Sequence, residues 1–439
     1  MAHQPAEQLA AQFAAARANT LRLFDLVPRE ADLHESPGFG FRPILWHLAH
    51  IGVFEAYWIL QRVKGDQSPD ARYERIFDPI ATPREESKNL PARREMESYL
   101  TRVRDSVLRY LERALFDNGE PLLRDGYIFR LVIEHERQHQ ETLAYLLHLL
   151  DPAKKTRPPE LPASQNQGES IADSAAKRRM SEIPAGEFVL GASSGDLFAY
   201  DNELPAHEVF VPAFKIDRWL TTNEEYARFI AEGGYERREW WSDEGWAWRE
   251  REDWSHPLYW RRDGAGWLVR TMFDERPLPP QHPVAGVSWY EAEAYARFAG
   301  QRLPTEAEWE KAAAWDAAEK TKRRYAWGDE PPSESLCNFD LQLWGTSAVG
   351  SFPAGASAAQ GLDMSGNVWE WTADPFAAYP GFVAFPYPEY SAEWFDGDHR
   401  VLKGGSWATS GSVLRTSFRN FFRRHFRIAF AGIRCAADA

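Results

Sequence analysis

Ile133-Glu134-His135-Glu136-Arg137-Gln138-His139-Gln140-Glu141 decides the reading of the first third of the chain. Its two histidines are four residues apart, so on a helix they share one face, one turn apart. Neutral imidazole is the commonest protein metal ligand. The stretch lies inside residues 125–150, whose apolar period predicts a helix. Upstream, Leu45-Trp46-His47-Leu48-Ala49-His50-Ile51-Gly52 places further histidines in a second apolar helix, predicted over 44–63. Three imidazoles on two helices make a mononuclear metal site with open positions. Helical periods over about 5–27 and 93–115 complete a four-helix bundle. Between them, 64–91 reads as irregular, because Pro79, Pro83 and Pro91 break long helices.

A chain of 439 residues is too long for one ordinary core. The division expected is 1–151 for the bundle, 152–180 for a polar, Pro-rich linker, and 181–439 for a second domain. Apolar residues at 44% and charged residues at 26% describe a soluble globular protein. The net charge of −14 argues against nucleic acid or an anionic membrane as partner. No apolar run reaches the roughly 18 residues of a membrane span. The N-terminus, MAHQPAEQLAAQF, lacks a basic stretch followed by an apolar one, so no secretory leader is expected. Cys337 and Cys435 give neither a disulfide framework nor a Cys-x-x-Cys site, and a reducing cytoplasm is the compartment expected.

From Ile183 the pattern changes. Short β-like runs at 187–190 and 208–211 alternate with Gly, Pro and Asn turns. Helices are expected over 222–232, 288–299 and 305–314, the last opened by the capping box Thr305-Glu306-Ala307-Glu308. Long loops rich in Trp separate them; the whole chain holds 19 Trp and 26 Phe. This is an α+β domain with little regular structure per residue.

Five motifs carry a resemblance: Ile183-Pro184-Ala185-Gly186-Glu187-Phe188, His282-Pro283-Val284-Ala285-Gly286-Val287-Ser288-Trp289, Arg302-Leu303-Pro304-Thr305-Glu306-Ala307-Glu308-Trp309-Glu310, Gly366-Asn367-Val368-Trp369-Glu370-Trp371-Thr372 and Lys403-Gly404-Gly405-Ser406-Trp407. The second domain resembles the formylglycine-generating-enzyme (sulfatase-modifying factor) fold, a C-type lectin variant. The first resembles the DinB-like bundle. Together they resemble the ergothioneine sulfoxide synthases and their relatives. These are non-haem iron enzymes that use O₂ to join a sulfur or selenium donor to the imidazole of hercynine. True formylglycine generators bind copper through a cysteine pair close in sequence, and here Cys337 and Cys435 are far apart. A DinB-like zinc thiol transferase and a lectin-like binding module without catalysis are the alternatives. Zinc suits the same ligands as iron.

The resemblance implies roles for particular residues. His50, His135 and His139 would hold Fe(II). His47 stands where the family has an acidic residue, as an outer partner of a ligand, and an exchange of roles with His50 stays open. Gln138 matches a glutamine that hydrogen-bonds the substrate imidazole, and Glu141 is placed to orient a ligand histidine. Asn420 would hold the betaine carboxylate, Phe421 would face the trimethylammonium, and Tyr379 is a further pocket candidate. Trp369 and Trp371 read as core, and Arg427 and Arg434 as structural.

The departures are equally informative. Phe422 and Phe426 stand where relatives that use γ-glutamylcysteine carry an acidic residue and an arginine for the donor's amino-acid groups. Phe376 stands at the pocket tyrosine and has no proton to donate. The donor-binding arginine motif is replaced by residues 73–91, in which Arg84 is the best anion ligand. These changes point to the selenoneine synthase branch, with a selenosugar as donor. A sulfur enzyme using free cysteine is the alternative.

Overall fold

The computed structural model describes residues 3–38, 40–79, 82–84, 87, 89–116, 119–159, 180–192, 196, 198–264 and 266–439. The chain divides into two compact units, Met1–Leu161 and Pro162–Ala439. Most of the expected linker, 160–179, lies outside the described residues. Among the described residues, no helix is long and apolar enough to cross a membrane.

The first unit is helical. It comprises α1 (His3–Asp25), the single turn α2 (Glu30–Leu33), α3 (Trp46–Glu55), α4 (Ala71–Phe77), α5 (Arg93–Leu111) and α6 (Tyr127–Leu149). Helix α3 continues as a π-helical stretch, Ala56–Val63, a local geometry common near functional sites. The four long helices are those the apolar period predicts. Helix α4 is the departure, since it forms in the segment expected to be irregular. The side chain of Asp70 caps it by accepting from the backbone N–H groups of Arg72 and Tyr73. Tyr73 and Phe77, four apart, supply its buried face. The prolines that suggested irregularity all follow it.

A buried charge network joins four helices. Arg17 of α1 donates to Glu136 (2.8 Å) and Glu55 (3.0 Å), and Arg104 of α5 donates to Glu55 (2.6 Å) and Glu136 (3.1 Å). Thr20 donates to Glu136 as well, and Gln140 donates to the Ala16 carbonyl. Burial pushes the Glu136 carboxyl up, but the two guanidinium groups hold it below its ordinary value. Successive helical residues point about 100° apart. Glu136 and Gln140 therefore serve this network while His135 and His139 face α3.

The second unit mixes short helices and small sheets. Its first strands are β1 (Met180–Ile183), β2 (Gly186–Leu190), β3 (His207–Val211), β4 (Phe214–Asp217), β5 (Trp260–Asp263), β6 (Gly266–Arg270) and β7 (Glu275–Pro277). There follow the two-residue pair β8 (Trp315–Asp316) and β9 (Thr321–Lys322), then β10 (Trp369–Pro375), β11 (His399–Lys403), β12 (Asn420–Arg423), β13 (Ala431–Gly432) and β14 (Ala436–Asp438). The largest sheet has the order β12-β11-β10-β13, with β13 parallel to β10 and the other pairs antiparallel. Its helices are α7 (Asn223–Ala231), α8 (Asp243–Arg251), α9 (Trp289–Phe298) and α10 (Glu306–Ala314). Capping boxes open α7, α9 and α10. Helix α8 was not expected. Gly245 is its only buried residue, so it has no apolar stripe to read. It is held instead by the Ser242 cap, acids in its first turn and arginines in its last.

The five motifs build the core of this unit. Trp309, Trp369 and Trp371 are fully buried. Glu370 pairs with Arg434 through two contacts of 2.7 and 2.8 Å and accepts from Trp309 Nε1. Glu310 accepts from Lys403 at 2.9 Å and also from Lys322. Burial would raise the Glu310 pKa, but the two lysines bring it down from 4.5 to about 2. A carboxyl depressed on folding stabilises above its unfolded pKa, and that contribution is lost as pH falls through the folded value. Acidification from pH 4.5 to 2 is therefore expected to remove about 3 kcal/mol at this site. Urea unfolding at stepped pH checks it: Glu310→Gln is expected to be less stable at neutral pH and to lose less on acidification.

Candidate metal centre

Helices α3 and α6 bring His50, His135 and His139 together, with their ligand atoms all within 4.8 Å of one another. The rings are held from several sides. His50 Nδ1–H donates to the Phe77 carbonyl at the end of α4 (2.8 Å), which leaves its Nε2 lone pair for a metal. Trp46 stacks on His50 at 4.4 Å and 17°, and Phe54 stacks on His135 at 3.6 Å and 6°. His47 Nδ1 lies 3.1 Å from His139 Nδ1, so one donates and the other accepts.

The donor set fits a divalent transition metal. Buried His135 Nδ1 has no hydrogen-bond partner, nor has His47 Nε2. An unmade hydrogen bond at a buried polar atom costs about 1–3 kcal/mol, which coordination could offset. Burial, ahead of the neighbouring charges, pulls His47 down to about 3 and His50 to about 4. It pulls His135 and His139 well below the ordinary imidazole value. All four are neutral at physiological pH, the form that binds metal. Three neutral nitrogens suit iron or zinc and leave positions for other ligands. On α6, Gln138 is half-buried beside His139, and Glu141 is buried two residues after it.

Arg84 is exposed. The buried arginine that meets its segment is Arg42, which the sequence reading passed over. It donates to the carbonyls of Pro79 and Thr82 and to Ser87 Oγ. Nothing local marks it, since its partners are about forty residues away.

In the second unit, Asn420 opens β12, and its Oδ1 accepts from the Phe421 backbone N–H (2.9 Å). The Phe421 ring stacks on Phe376 at 4.0 Å and 12°. Trp394, Tyr390 and His399 stand around it at 6.0–6.4 Å. His399 is oriented by Asp396 through Nδ1 (2.9 Å), a pair that the motifs did not suggest. Phe422 and Phe426 stack on each other at 4.4 Å and 13°. Tyr379 packs with Phe188 and Leu190, its hydroxyl donates to Glu306 (2.8 Å), and the Arg419 guanidinium covers its ring at 4.1 Å. Its phenol is thus buried and committed to a carboxylate.

Comparison with known proteins accounts for both units. A family described as DinB superfamily matches residues 12–143, and one described as sulfatase-modifying factor enzyme 1-like domain matches 167–439. The chain is 42% identical to a hercynine oxygenase of Mycobacterium tuberculosis over 98% of this chain and 99% of that one. It is 41% identical to a hercynine oxygenase of Mycolicibacterium thermoresistibile, over 98% and 95% of the two chains. A formylglycine-generating enzyme of Thermomonospora curvata is 34% identical and matches 59% of this chain.

Proposed function

The chain belongs to the hercynine oxygenase family, a DinB helical domain joined to a sulfatase-modifying-factor-like α+β domain, and on that premise we propose that it is an O₂-dependent iron enzyme joining a chalcogen donor to C2 of hercynine. The observation that carries this reading is the cluster of three neutral imidazoles in the bundle. Bound by His50, His135 and His139, Fe(II) supplies the centre at which O₂ is activated. In the sulfoxide-forming reaction, the C2–H and chalcogen–H hydrogens leave with one oxygen atom as water. The other oxygen atom stays on the chalcogen, and a C–S or C–Se bond forms.

The protein's own groups bind and orient. Gln138 accepts or donates at the hercynine imidazole. Asn420 holds the carboxylate. Phe421, backed by Phe376, offers a ring face to the trimethylammonium, which has no N–H and is held by aromatic faces.

The donor we assign is a selenosugar. The stacked pair Phe422 and Phe426 supports this, because it offers rings where a zwitterionic donor needs charges. Leaving such a charge unpaired costs several kcal/mol, and about 3 kcal/mol is roughly a 100-fold loss in kcat/KM. Hydroxyl groups of a neutral sugar need only hydrogen bonds. The test presents the iron-loaded protein with hercynine and, in parallel, a 1-seleno-glucosamine type sugar, cysteine and γ-glutamylcysteine, and identifies products by mass. The selenosugar is expected to exceed γ-glutamylcysteine by about 100-fold. Equal turnover with γ-glutamylcysteine overturns the selenium assignment, and preference for cysteine replaces it with the sulfur reading.

A further inference from the structure

The Trp46 ring is stacked on the His50 imidazole on one side and covered by the Arg42 guanidinium at 4.7 Å. Each member of this stack also grips the segment after α3. His50 Nδ1 donates to Phe77 O at 2.8 Å, and Trp46 Nε1 donates to Ile76 O at 3.1 Å. Arg42 Nη2 donates to Pro79 O (3.1 Å) and Thr82 O (2.6 Å), and its Nη1 to Ser87 Oγ (2.5 Å) and Pro83 O (3.5 Å).

We infer that Arg42 is a positioning residue that locks the described part of 76–87 and the His50 imidazole into one assembly, so that this segment's placement sets the geometry of a metal ligand. The chemistry of the segment explains why a cation is needed. Pro79 and Pro83 lack N–H groups and disfavour helical geometry at the residue before each, as at the extended Asp78, so the carbonyls here cannot be satisfied by a continuing helix. Only a donor with several diverging N–H groups can collect them. The planar guanidinium does so with a fixed fork, and a lysine ammonium cannot span the same four acceptors. Arg42 is 7% exposed, and its bonds to Thr82 O and Ser87 Oγ are buried. A displacement of this segment therefore displaces the partner of His50.

The inference rests on the three-histidine metal reading, and its test separates the two. Co(II) is added to the full-length metal-free protein, and affinity and the visible ligand-field spectrum are read for wild type, Arg42→Met, Arg42→Lys and Trp46→Phe. Loss of an outer partner of a metal ligand typically costs 10–100-fold in metal affinity. Arg42→Met is expected to weaken Co(II) by about that factor and to shift the ligand-field bands. Arg42→Lys is expected to rescue little, and Trp46→Phe to shift the bands the same way by less. Unchanged affinity and bands in Arg42→Met overturn the inference. If Arg42→Met does not fold by circular dichroism, Trp46→Phe decides, and unchanged bands there overturn it equally. A wild type that binds no Co(II), or binding that survives His135→Gln, removes the metal reading instead.

Discussion

His135→Gln is expected to end O₂-dependent turnover of hercynine and to weaken metal binding by more than the roughly 100-fold that loss of an outer partner costs. Glutamine preserves much of the side-chain volume but offers an amide in place of an imidazole lone pair, and two histidines remain. The metal-free fold should be little affected, because His135 Nδ1 makes no hydrogen bond that the substitution removes. The contrast appears in thermal unfolding. Metal at about 1,000 times its Kd stabilises a protein that binds it only when folded by about 4 kcal/mol. Wild type is expected to gain that increment on adding Fe(II) under argon, and the variant to gain less than about 1.4 kcal/mol, the value left after a 100-fold loss of affinity. Iron-dependent turnover that survives in His135→Gln would place the chemistry elsewhere.

Glu370→Ala is expected to destabilise the second unit by about 3–5 kcal/mol, the range for removing one partner of a buried ion pair. The pair with Arg434 is fully buried on both sides. Arg434 keeps its bonds to the carbonyls of Asp217 and Leu362, but loses its strongest carboxylate partner, with Asp363 and Asp217 left as weaker neighbouring charges. Trp309 Nε1 loses its acceptor as well. The cost is thus that of a buried cation deprived of its main counter-charge, not of one hydrogen bond. Glu370→Gln, which keeps an acceptor but not the charge, is expected to fall between. Urea midpoints for the two variants measure the order. A Glu370→Ala loss below about 1 kcal/mol would show that Arg434 finds water or another anion.

Much of this protein was legible because its signals are local. The apolar period of the four long helices, the four-residue spacing of His135 and His139, and the capping box at Thr305 each depend on residues a few positions apart. The backbone alone fixes such geometry. Helix α4 was hidden by prolines that lie beyond it, and α8 by the absence of a buried stripe.

What the sequence by itself determined is the pair of domains, the ligand type and the histidines that could meet. Only the tertiary structure decided how those histidines are held: the Phe77 carbonyl on His50, Trp46 and Phe54 on two of the rings, and His47 against His139. It also buried the Tyr379 phenol and made Arg42, not Arg84, the buried arginine of its segment. The reason is common to these cases. An imidazole or guanidinium takes its role from the acceptors and rings packed around it, and here those come from segments distant along the chain.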